Sequence, residues 1–170
     1  MGEQRQNLPD DPERDESPAE RLDRNWSELL QELRVTQTGI QILSGFLLTL
    51  PFQARFAELE PALLGIFLAA VVLGTLTTGL IVAPVTAHRL LFRRHAKDVL
   101  VLAGDRLAKA GLGLLALTVV MVVTLVFGFV LDLASGVVAG AVALGVFAVL
   151  WLAVPLRLAA GSKDAAGPYA

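Results

Sequence analysis

Charged side chains are missing from four stretches of this chain, Val35–Ala54, Pro61–Ala87, Ala110–Leu131 and Leu133–Leu156. A helix rises about 1.5 Å per residue, so about 20 apolar residues cross a hydrocarbon core of about 30 Å. Each stretch reaches that length. The pattern therefore predicts an all-α membrane protein with four transmembrane helices, at about 35–56, 61–87, 110–131 and 135–156. Val35–Leu50 alone would rise only about 24 Å before Pro51. The first span is expected either to begin below Val35 or to continue past a kink at Pro51.

The polar stretches carry patterns of their own. Leu22, Trp26, Leu29, Leu30 and Leu33 recur at spacings of three and four, with Glu20, Arg24, Glu28 and Glu32 on the other faces, which predicts an amphipathic helix over 19–34. One reading lays it on the bilayer surface with Trp26 among the headgroups; another has it dock a partner. A second amphipathic stretch, 88–109, places Leu90, Leu91 and the VLVL run beside arginines able to snorkel to phosphate level. Residues 1–18 hold three prolines, many acids and one large aliphatic residue, Leu8, and are expected to be a disordered arm. Residues 158–170 are expected to be a flexible tail.

Small residues recur within the spans. Ala70, Gly74 and Thr78, then Gly136 and Gly140, then Ala141 and Gly145, each form ridges for close helix approach. Pro84 is expected to kink the second span.

Charge gives the helices an orientation. Thirteen of the fourteen basic residues fall at one end of the predicted spans and only Arg55 at the other, so both termini are expected in the cytoplasm. The net charge of −2 conceals ten acids against four arginines in residues 1–32, and six basic residues against two acids in 88–109. That basic cluster flanks two spans and is accounted for by orientation, so nucleic acid is not expected as a partner. With 55% hydrophobic residues and four spans, no length is left for a separate soluble catalytic domain. The N-terminus lacks the apolar core of a secretory signal peptide. Eleven arginines against three lysines, with abundant Ala, Gly, Leu and Val, suggest a GC-rich bacterial genome and hence a bacterial cytoplasmic membrane.

Candidate chemistry is sparse. The chain has no cysteine, which removes disulfides and thiolate chemistry. His88 and His95 are seven residues apart, too far for a chelating pair, and no carboxylate completes a site, so neither a metal nor another cofactor is expected. No carboxylate, histidine or lysine lies within a span, whereas ion-coupled transport normally uses one. No nucleophile elbow or phosphate loop is present, so an enzyme is not expected.

The first span carries the main intramembrane polarity, with Gln37, Gln41 and Ser44 on one face that is expected to turn into the bundle. Arg34 continues this face at the inner end, level with His88 and Arg89 of the second span. Arg34, Gln37, Gln41, His88 and Arg89 thus form a candidate polar pocket for an anionic lipid headgroup. The simpler reading makes the arginines orientation signals and the glutamines interhelical glue.

The segments ELRVTQTGIQIL-x-x-FLLTLPFQARF and APVTAHRLLFR resemble an uncharacterised family of small bacterial four-helix membrane proteins, known as a domain of unknown function. The resemblance covers about residues 20–157 and implies an integral inner-membrane protein; it implies no substrate or catalytic residue. The leading expectation is a non-enzymatic membrane protein that assembles with itself or with a membrane-protein partner. The alternatives are a small transporter or pore lined by Gln37, Gln41, Ser44, Thr75 and Thr78, and a lipid-binding or lipid-handling protein.

Overall fold

Inside a bilayer every backbone N–H and C=O must be satisfied within the protein, and a helix does this within one segment. The computed structural model describes residues 17–91 and 97–165, excluding side chains at 87–91, 97–102 and 161–165 among others. The arm 1–16, the connection 92–96 with His95, and residues 166–170 lie outside the described residues. Among the described residues every element is helical.

Helix α1 runs Pro18–Thr49 and starts on a capping box. The Ser17 hydroxyl accepts from the Glu20 N–H at 3.3 Å, and the Glu20 carboxylate accepts from the Ser17 N–H at 2.8 Å. Pro18 takes the first helical position, where no N–H is needed. Its 32 residues rise about 48 Å. The amphipathic segment 19–34 is therefore the first part of α1, and the first span gains its length by starting below Val35. The α-helix stops at Thr49, not near 56. Pro51 falls in the first of two 3-10 turns, Leu50–Phe52 and Ala54–Glu58.

Helix α2, Pro61–Leu91, runs through a fully buried Pro84. Helix α3, Lys97–Val130, merges the second amphipathic stretch with the third span. Helix α4, Leu133–Ala148, passes through a π-helical turn, Val149–Ala153, into α5, Val154–Ala165. Pro155 lacks the N–H that would bond back to Trp151, and widening the turn accommodates that loss. Helix α5 carries good helix formers to Ala165, so the tail expected from 158 is helical over its first part. Four helices are long and apolar enough to cross a membrane. The two short connections gather at one end, here the turn end; Arg34, Arg106, Lys109 and Arg157 lie toward the other, the basic end.

Helices α2 and α3 form the central pair, α1 packs on both, and α4 packs on α3. Leu63, Phe67, Ala70, Gly74, Thr77, Ile81 and Pro84 are buried along α2 at alternating spacings of four and three, a heptad seam. Helix α1 contributes Leu33, Ile40 and Leu47, evenly spaced at one heptad and all buried. Thr77, rather than Thr78, continues the small-residue ridge. The hydroxyls of Thr77, Thr118 and Thr124 each donate to the carbonyl one turn earlier at 2.8 Å, so these polar groups enter the core satisfied.

Helix α3 is approached from two sides. A Cβ on Gly104 would sit 3.1 Å from both Trp26 and Leu29 of α1, and one on Gly111 would sit 2.9 Å from Ile81 of α2. Leu29 and Leu33 accordingly cluster with Ile81 and Ala108. Trp26 and Leu29 of the amphipathic segment thus pack on α3, where Gly104 leaves room for the Trp26 ring. On the other side, a Cβ on Gly136 would lie 2.5 Å from the Thr124 carbonyl oxygen and 2.8 Å from the Gly128 Cα, and one on Gly140 would collide with the Thr124 hydroxyl. The Gly136/Gly140 pair is consumed in packing α4 onto α3.

Gly136→Leu or Gly140→Leu is expected to lower stability by about 1–3 kcal/mol through overpacking. Gly145→Ala should be neutral, since nothing lies within 4 Å of its added Cβ. Thermal unfolding of the detergent-solubilised variants checks both, and a Gly140→Leu protein as stable as wild type would contradict the close approach.

Candidate functional site

Of the five residues singled out in the sequence, the structure describes the side chains of three. Arg34 is exposed, Gln37 half-buried and Gln41 exposed. His88 and Arg89 lie in the last turns of α2, but their side chains are outside the described residues. The buried edge of α1 runs through Leu33, Ile40 and Leu47, and Gln41 sits one position beyond Ile40, which turns its side chain about 100° away. The polar stripe therefore splits. Gln37 and Ser44 flank the seam, while Gln41 faces outward with Thr38 and Gly45, both exposed.

Ser44 borders a space of about 30 Å³ that it shares with Leu47, Leu48, Val71 and Thr75. Its buried hydroxyl oxygen has no hydrogen-bond partner among the described residues. The space has room for one water molecule, and a buried hydroxyl is a suitable partner for it. The Thr75 and Thr78 hydroxyls donate to the carbonyls of Val71 and Gly74 at 2.9 Å each.

A larger site lies at the turn end, where the sequence drew attention only to an isolated charge. The second 3-10 turn brings Arg55 over the Phe129 ring of α3, with the guanidinium carbon 4.9 Å from the ring centroid. This is cation–π distance. Arg55 Nε also donates to Glu58 Oε2 at 3.0 Å. Beside them Phe56 meets Phe67 edge-on at 5.2 Å. The Arg55–Phe129 pair forms a ridge between two cavities. One, of about 400 Å³, is apolar and reaches toward Leu50, Leu59, Leu125 and Val126. The other, of about 470 Å³, is about half polar, with Glu58, Glu60 and Asp132 set among leucines. An acidic rim, a single cation and an apolar hollow thus meet within one surface. The 3-10 geometry that brings Arg55 onto α3 follows from Pro51 and from a tertiary contact with a distant part of the chain, and neither leaves a periodic signal in the sequence.

Asp132 also caps α4. Its carboxylate accepts from the Ser135 N–H at 2.7 Å. The Ser135 backbone bond first, and its hydroxyl second, hold the Asp132 carboxyl below its ordinary value. A carboxyl lowered in the folded state contributes stability above its unfolded pKa, and that contribution is lost as pH falls through the folded value. Acidification below the usual carboxylate range is therefore expected to fray the start of α4. Asp132→Asn should keep the cap and lose this pH dependence, while Asp132→Ala should fray α4 at every pH. Amide hydrogen exchange at Ala134–Gly136 against pH reports it; an Asp132→Asn profile identical to wild type would refute it.

The chain belongs to a family of unknown function (DUF6328), whose profile matches residues 15–155. No curated protein and no solved structure matches the chain.

Proposed function

Starting from membership of a family that spans all four membrane helices and carries no assigned activity, we propose that this protein acts by association and not by catalysis. In this reading it is a multi-pass protein of a bacterial cytoplasmic membrane, with both termini cytoplasmic, and it pairs with a second copy of itself through the outward face of α1. The observation that carries the reading is the exposed Gln41. It lies two turns beyond Arg34, about 10 Å along the helix and within the apolar span. An amide facing hydrocarbon lacks hydrogen-bond partners, and polar residues in spans accordingly serve as interhelical glue. Gly45, one turn on, has open space around it and lets a second helix approach to amide-bonding distance.

A glutamine amide is both donor and acceptor, so two copies related by a two-fold axis satisfy each other with a single residue type. The Gly136/Gly140 pair does not support the reading, because α3 already covers it. The orientation rests on the basic residues: among the described residues all but Arg55 sit toward one end, as expected for the cytoplasmic side. For a pore lined by Gln37, Gln41, Ser44, Thr75 and Thr78 no observation speaks: Gln41 and Thr75 are exposed, and the space at Ser44 holds about one water.

Gln41→Leu is expected to weaken self-association in liposomes by about threefold to tenfold, the usual value of one interhelical hydrogen bond. Fluorescence energy transfer during lipid dilution measures this. Wild-type protein that stays monomeric at every dilution, or pairs only with another protein, would overturn self-association.

The orientation is tested separately, because the chain has no native cysteine. Ala57→Cys should react in intact cells with a membrane-impermeant maleimide, and Ala160→Cys only after lysis. The reverse pattern would invert the topology.

A further inference from the structure

We propose that the turn end binds one amine-bearing, zwitterionic phospholipid, with its phosphate on Arg55, its ammonium in the acidic cleft and an acyl chain in the adjoining apolar cavity. The site is separate from Gln41 and from the basic end, so it stands or falls independently of self-association.

The geometry supplies three matching parts in the order a phospholipid presents them. Arg55 sits in the connection between α1 and α2, three residues beyond the end of the first apolar span. Below it the apolar cavity runs along Leu125 and Val126, one turn deeper in α3 than Phe129. Its volume of about 400 Å³ falls within the range of small-molecule sites. Above and beside it, Glu58, Glu60 and Asp132 line the polar cleft on the far side of the Arg55–Phe129 ridge. A guanidinium has five N–H donors. Donation of Nε–H to Glu58 leaves the Nη groups for phosphate oxygens, and stacking on Phe129 holds the plane in place.

Charge selects the headgroup. The cleft sets one arginine against three carboxylates. A purely anionic headgroup such as phosphatidylglycerol gains the arginine but meets three like charges. Phosphatidylethanolamine meets both signs, with its phosphate on Arg55 and three ammonium N–H donors for the acids. Phosphatidylcholine has the same charges but no N–H, so it should bind between the two. This preference runs opposite to that of a basic pocket at the other end, which would favour anionic lipid.

The test uses the full chain purified in detergent, loaded with phosphatidylethanolamine, phosphatidylcholine or phosphatidylglycerol of identical acyl chains and counted by native mass spectrometry. One phosphatidylethanolamine per protomer should be retained, about tenfold more tightly than phosphatidylglycerol. Arg55→Gln should lower its retention about tenfold. This side chain is 69% exposed, so the fold should persist, as circular dichroism would verify. Glu60→Gln, at another exposed position, should narrow the gap between phosphatidylethanolamine and phosphatidylcholine. Val126→Trp, which fills the apolar cavity, should release the lipid even with Arg55 intact. Equal or stronger retention of phosphatidylglycerol, or wild-type retention by Arg55→Gln, would overturn the proposal.

Discussion

Close backbone approach to α3 is the constraint on which the rest of the structure depends. Lipid tails are as apolar as leucine, so helices in a bilayer gain little from hiding apolar surface and must gain from contact. Contact is greatest where no Cβ intervenes. Gly104 admits Trp26 and Leu29, Gly111 admits Ile81, and Thr124 with Gly128 receives Gly136 and Gly140. Each neighbour is seated on α3 by small residues, and the threonines on these faces return their hydroxyls to their own helix. Even a methyl group at Gly136 would meet the Thr124 carbonyl oxygen and the Gly128 backbone of α3, and one at Gly128 would meet the Leu63 side chain of α2.

That arrangement decides where the turn end closes. Once α1 and α2 lie against one side of α3 and α4 against the other, the two connections are brought side by side. Arg55 then reaches Phe129, and Asp132 both caps α4 and joins the same cleft. The one basic residue at this end among the described residues has an aromatic partner, an acidic partner and two adjoining cavities because the helices it connects are fixed by contacts further along the spans.

The four spans were legible in the sequence because uninterrupted apolar runs of such length suit little besides a bilayer. The start of α1 was legible too: Ser17, Pro18 and Glu20 form a local cap that depends on nothing distant. The fate of the amphipathic stripe was not. Leu22, Trp26, Leu29 and Leu33 show that one face seeks apolar surroundings, and they do not say whether lipid or another helix supplies them. Only Gly104, two helices further along the chain, decides that. The polar stripe of the first span failed for a related reason. Residues at i and i+4 differ by about 40° around a helix, so Gln37 and Gln41 share a face while Gln37 stays close enough to the buried edge to be half-buried and Gln41 turns far enough from it to be exposed.

The two ends of the protein thereby acquire different chemical characters. At the basic end, arginines and lysines flank the spans, which is what membrane orientation requires and what nearly every multi-pass protein displays. At the turn end, acids outnumber the single arginine, so orientation does not account for Arg55; a basic residue on that side opposes the charge bias. Its stacking on Phe129 and its bond to Glu58 anchor the connection, yet both partners are themselves partly exposed, and exposed ion pairs contribute little to stability. A cation at the end poor in described basic residues, weakly used by the fold and placed on a ridge between apolar and acidic hollows, suits the lipid contact proposed for it.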